Sequence, residues 1–143
     1  MSKTTIEKTL QRSKAKAEFC RRLNAHFAMG IWSNQYDRVT YQKVDHHTLS
    51  LYLDGGYSTR RLDRRSAGPG APEKLTILPA GHQSEWEIGG HQRFVHLYFS
   101  DSTLRSIALK DFDLDPRLVE LPDATYFNDD VLRQHYHMLN HNH

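Results

Sequence analysis

Hydrophobic and polar positions alternate through the middle of this chain. In the stretch from His47 to Gly56, Leu49, Leu51 and Leu53 take every second place, with Ser50, Tyr52 and Asp54 between them. A two-residue period marks a strand with two unlike faces. Arg93–Phe99 repeats it: Phe94, His96 and Tyr98 share one face, and Val95, Leu97 and Phe99 the other. Stretches 38–45, 57–63 and 74–78, and the residues around Trp86, predict further strands. Asp54-Gly55-Gly56 and Gly89-Gly90 punctuate them, and Gly68-Pro69-Gly70-Ala71-Pro72 reads as a loop. Lys74–Leu78 runs into Pro79-Ala80-Gly81, where Pro at the second and Gly at the fourth position suit a type I turn. About six short strands between residues 38 and 99 predict an antiparallel sandwich or small barrel.

The flanks read differently. Ile6 and Leu10 stand at helical spacing, and Phe19, Leu23 and Phe27 repeat it, but the stripe fails from Ser13 to Lys16. Residues 1–30 are therefore expected to be a partly helical arm, crowded with Lys8, Arg12, Lys14, Lys16, Arg21 and Arg22. Residues 31–100 form the expected barrel, and 101–143 a helical region. Ser100 or Asp101 caps a helix carrying Leu104, Ile107 and Ala108, with Lys110 near its end. An acidic connection with Pro116 and Pro122 follows, and Asn128 reads as the next N-cap. Beyond it Leu132, Tyr136 and Leu139 fall at i, i+4, i+7, a stripe suited to dimerisation or to core packing. No stop signal follows, which predicts that the natural protein continues.

Composition narrows the class. At 143 residues the chain is long enough for one domain with a core, although 38% hydrophobic residues is lean. One cysteine, Cys20, rules out an internal disulfide and fits a reducing compartment. No apolar run approaches the roughly 20 residues of a membrane span, and the basic N-terminus lacks an apolar signal region. A cytoplasmic protein with no membrane partner is expected. The net charge of +2 hides an asymmetry. Residues 1–71 carry 13 Lys/Arg against 6 Asp/Glu, and residues 72–143 carry 6 against 11. Halves of opposite sign favour attraction within the domain or between copies over a nucleic-acid surface.

Few motifs carry chemistry. The ten histidines invite a metal, but His46 and His47 point to opposite faces of a strand. His82, His91 and His96 converge only if the fold happens to bring them together. His137 and His141 have a helical zinc spacing at the chain's end. The strand-rich region has no HxH pair, and no HExxH occurs. Nucleophile elbows and phosphate loops are also missing. Glu85 and Glu87 share a strand face beside Gly-Gly, where solvent contact is the simpler role. Arg60, Arg61, Arg64 and Arg65 form a basic loop, without stacking aromatics at an RNA-binding spacing. Neither catalytic residue, metal nor cofactor is expected.

The leucine-alternating strand, the Gly/Pro loop, KLTILPAGHQSEW and RFVHLYFSDSTL together resemble the N-terminal sensor domain of AraC-type transcription regulators over about residues 38–110. The resemblance implies a cupin-like jelly-roll barrel, mainly β, followed by C-terminal helices. Pro79 and Gly81 keep the second cupin signature, but Glu73 stands at its first glycine and Ser84 at its metal histidine. It also implies a ligand pocket holding Trp86, shortly after Pro-x-Gly; Phe94 and His96, on the Tyr-Phe strand; and Ser50, Tyr52 and Asp54, on the leucine strand. The leucine faces would then pack against helices, and the basic arm would fold over the ligand.

Together these readings predict an effector-sensing and dimerisation domain. It would bind a small molecule, form a homodimer, and reach DNA only through a C-terminal domain outside this chain. A small metal-dependent cupin enzyme and a dimerisation module without a ligand are the alternatives.

Overall fold

In a computed structural model, which describes residues 3–64 and 68–141, nine strands build two antiparallel sheets. The strands are β1 (Lys16–Arg22), β2 (Phe27–Asn34), β3 (Asp37–Tyr41), β4 (His47–Gly55), β5 (Thr59–Arg61), β6 (Leu75–Leu78), β7 (Ser84–Ile88), β8 (Gln92–Phe99) and β9 (Ala124–Phe127). The larger sheet runs β1-β2-β8-β4-β6-β9 and the smaller β3-β7-β5. Helix α1 (Thr5–Arg12) precedes the sheets, while α2 (Asp101–Phe112) and α3 (Asp130–His141) follow β8 and β9. No helix among the described residues is long and apolar enough to cross a membrane.

The alternation read in the sequence sorts residues onto two cores. Between the sheets lie Trp32, Val39, Tyr41, Tyr52, Leu78, Trp86, Ile88, Phe94 and Tyr98, with Ile6 and Leu10 of α1. The second core holds Met29, Ile31, Leu51, Leu75 and Val95, joined by Tyr136 of α3. The leucine faces thus turn away from the lumen, and α3 covers them. A strand-period slip would exchange the two faces, so burial on both sides pins the register. Ser50 pairs with His96, and Tyr52 with Phe94.

Several expectations are corrected. Residues 16–34 are sheet, not arm: β2 sits beside β8, so the boundary expected at residue 30 falls inside a strand. Phe27, Met29 and Ile31 alternate with Ala28, Gly30 and Trp32 on a strand apolar on both faces, and this hides the two-residue period. The helical part of the arm is α1 alone, closed at its start by a capping box of Thr4 and Glu7. The Pro79 turn is bridged from His82 N–H to Pro79 C=O at 3.2 Å, which puts Gly81 third, at φ +85°. That is the type II position, where glycine is required. The cap of α3 is Asp129, whose carboxylate accepts the Leu132 N–H at 3.0 Å; Asn128 instead accepts from Arg133.

Part of the charge asymmetry is met within the chain. Arg61 and Arg64 from the basic half both bind Asp123 of the acidic half, and Arg60 pairs with Glu87. Arg65, expected in the same basic loop, lies outside the described residues.

Candidate functional site

Strand parity builds a lumen between the sheets. Ser50 and Tyr52 enter from β4, Phe94 and His96 from β8, and Trp86 from β7. Thr76 stands across from Ser50 on β6, so His96, Ser50 and Thr76 form a polar row across the large sheet. Phe94 and Tyr52 form an aromatic row beside it, their rings 6.2 Å apart. Tyr41 and Gln92 also line the space, and Leu10 of α1 reaches it from the N-terminal segment. Five of the six sequence-predicted pocket residues therefore share one cavity.

Asp54 does not join them. A bulge between Tyr52 and Asp54 adds a residue to β4 and breaks its alternation. The Asp54 side chain is 70% exposed and faces His91 at 3.5 Å. A sequence pattern cannot reveal a bulge when the residues on both sides keep their polarity.

Hydrogen bonds fix the walls. The Trp32 indole N–H donates to Tyr98 Oη at 3.2 Å, and the Tyr98 hydroxyl shares a hydrogen bond with His96 Nδ1 at 2.9 Å. His96 is enclosed, 3% exposed. Burial pushes its pKa from 6.5 down to about 3, so the ring is neutral. Burial likewise drives the Tyr41, Tyr52 and Tyr98 hydroxyls up. The lumen is thus polar in places and uncharged. Gly30 stands beside His96 in the pairing, and a Cβ there would lie 2.7 Å from the Trp32 indole nitrogen. Glycine lets that ring lie flat over the strand.

Ser84 is buried at the position of the cupin metal histidine, and its Oγ accepts the Trp86 N–H at 2.9 Å. A metal centre of this fold needs several imidazole or carboxylate donors turned to one point. Among the described residues His96 is the lumen's one imidazole, and no carboxylate lines its walls. Among the described residues no group of three or more His, Cys, Asp or Glu side chains is placed to hold an ion. The residues present do not fit a metal. His82 and His91 are largely exposed and do not approach His96. On α3, His135 donates to the Val131 carbonyl and His137 binds Glu73; the His141 side chain lies outside the described residues. Glu85 and Glu87 point away from Trp86 and pair with Arg38 and Arg60.

Two features escaped sequence reasoning. Tyr126 joins the inter-sheet core from β9, four residues in an acidic, Pro-containing connection with no strand signature. Arg61 is enclosed, its side chain 1% exposed, with donors on Asp63, Asp123, Thr125 and the Gln83 carbonyl, and its guanidinium 5.7 Å from the Trp86 ring. The dimer stripe is divided. Tyr136 is buried, with its hydroxyl 2.6 Å from the Leu49 carbonyl, and Leu132 packs beside it; Leu139 is 37% exposed. Tyr136 is thereby a residue of its own domain's core and has no surface for a partner.

No family model matches this sequence, and neither does any curated protein. Solved structures do. The chain is similar to the EutQ protein of Clostridium difficile, with a TM-score of 0.51 at 11% identity over 63% of this chain and 65% of that one. It is also similar to the cupin domain of Cnp3 from Schizosaccharomyces pombe, with a TM-score of 0.50 at 14% identity over 67% and 66%. The chain spans less than two thirds of either structure. At such identities the likeness is one of architecture: two antiparallel sheets around a lined lumen, which is the cupin jelly roll.

Proposed function

We propose that this chain is the effector-sensing part of an AraC-type transcription regulator, acting without chemistry of its own. The observation that carries the reading is the lumen: Ser50, Tyr52, Trp86, Phe94 and His96 converge on one uncharged, aromatic-walled space. Such a mixture of apolar walls and a few polar groups suits a small ligand. The absence of a fitting donor set argues against a metal-dependent enzyme. Helix α1, whose Leu10 lines the lumen, is the segment suited to sense occupancy, and α3 is the element suited to pass it on. In this reading the protein is cytoplasmic and homodimeric, and it reaches DNA through a region outside this chain.

One observation favours the ligand-free alternative. The cavity measures about 30 Å³, room for a water or two and well below the roughly 300 Å³ of a drug-sized site. Thermal-shift screening of sugars, aromatic acids and phenols decides between them. A stabilising compound whose effect is lost in Trp86→Ala supports the sensor. Stabilisation indifferent to Trp86, or none from any class, supports the ligand-free module.

A further inference from the structure

The contrast between a ligand-type wall and so small a cavity has a local cause, and it rests on the sensor reading above. Tyr126 enters at the seam where β9, the outer strand of the large sheet, meets β5 of the small one. Its ring stands edge-on to Tyr52 at 5.6 Å and to Trp86 at 5.9 Å. Its hydroxyl donates to the Thr59 carbonyl at 3.0 Å and accepts from the Tyr52 hydroxyl at 3.1 Å. Tyr52, Thr59 and Trp86 all line the lumen. A phenol of the chain itself therefore packs against three residues of the cavity wall, with both hydrogen-bonding roles of its oxygen used.

The backbone there is strained. Tyr126 sits at φ +54°, a conformation that bulky side chains rarely adopt and that persists only where the surroundings impose it. β9 is weakly held to β6: two pairs, Leu75–Phe127 and Ile77–Ala124, flank an irregularity. Firm anchors stand on either side of it. Asp123 is held by Arg61 at 2.6 Å, and Asp129 caps α3 at 3.0 Å. Between these two points the segment is tied by the Thr125 hydroxyl to Arg61 at 3.0 Å and by the Tyr126 N–H to Thr76 Oγ1 at 3.3 Å.

We propose that Tyr126 is an exchangeable plug, and that the lumen's ligand is a neutral phenol-type aromatic that takes over its ring and hydroxyl contacts. The uncharged walls disfavour a carboxylate, and the donors of Arg61, the nearest cation, are already engaged by Asp63 and Asp123. Expulsion of Tyr126 relieves the strain and moves the chain three residues before Asp129, the start of α3. This gives the effector a route to the helix.

The probe is 4-methylphenol, with toluene and 4-methylbenzoate as controls. Titration calorimetry should show it binding Tyr126→Gly at least tenfold more tightly than the wild type, and more tightly than either control. In the wild type, saturation should raise amide exchange over residues 124–127, because the plug leaves. Equal affinity for both proteins, or exchange in 124–127 that falls or stays unchanged on binding, overturns the plug. Toluene or 4-methylbenzoate binding as well as the phenol overturns the ligand class. If Tyr126→Gly fails to fold, the wild-type exchange measurement decides alone. If 4-methylphenol binds neither protein, the proposal falls. The sensor reading then survives only if some other compound gives Trp86-dependent stabilisation.

Discussion

The hydroxyl of Tyr98 shares a hydrogen bond with Nδ1 of His96 at 2.9 Å, inside the sheet sandwich and away from any charge. Burial opposes protonation of the His96 ring. The folded-state pKa of about 3 lies below the ordinary 6.5, so between those values the unfolded chain binds a proton that the native one does not. Stability therefore rises with pH through that window and falls on acidification.

This sets the first expectation. Below pH 6.5 the wild type should lose about 1 kcal/mol per pH unit from this one group. His96→Gln, which cannot titrate, should show a flatter acid limb in denaturant melts between pH 6 and 4. An unchanged slope would remove His96 from the account.

Ser84 holds the Trp86 indole by a single buried hydrogen bond. Ser84→Ala leaves that N–H without a partner and should destabilise by about 1–3 kcal/mol. The tryptophan emission should shift with it, since one of the chain's two tryptophans loses its polar contact. A variant as stable as the wild type, with unaltered emission, would contradict the assignment.

Arg61 binds Asp63 and Asp123 with its side chain enclosed. Removing one partner of a buried ion pair strands the other, so Arg61→Ala should cost about 3–5 kcal/mol, measured by urea unfolding. Arg61→Lys should rescue little, because an ammonium cannot serve both carboxylates, Thr125 and the Gln83 carbonyl.

The two aromatic and aliphatic ends of the α3 stripe should separate in experiment. Tyr136→Phe loses the contact with the Leu49 carbonyl and should lower stability by about 1 kcal/mol without altering self-association. Leu139→Glu, at an exposed position, should leave stability within about 0.5 kcal/mol and weaken any dimer in sedimentation equilibrium. A dimer insensitive to Leu139→Glu would place the interface elsewhere.

Legibility in the sequence followed the contrast between strand faces. The leucine strand and the Phe94/His96/Tyr98 strand alternate residue types openly, so their two faces are legible in the sequence, while the choice of inward face came from the family resemblance and not from the pattern. β2 could not, because both of its faces are buried and Phe27 also continues a helical spacing with Phe19 and Leu23. Asp54 kept the pattern while a bulge broke the geometry. Tyr126 gave no sign, since its role depends on a four-residue strand at a sheet edge and a positive φ set by its neighbours. What was missed is tertiary: contacts between segments far apart in the chain, with no local period to betray them.

Strand β1, one of the two edges of the large sheet, has a consequence for aggregation. A seven-residue strand at a rim is a template on which other chains can add. Lys16, Glu18, Arg21 and Arg22 stud this one with solvated charge. These residues are gatekeepers: neutralising them together would turn the rim into a nucleus for aggregation while leaving the lumen untouched.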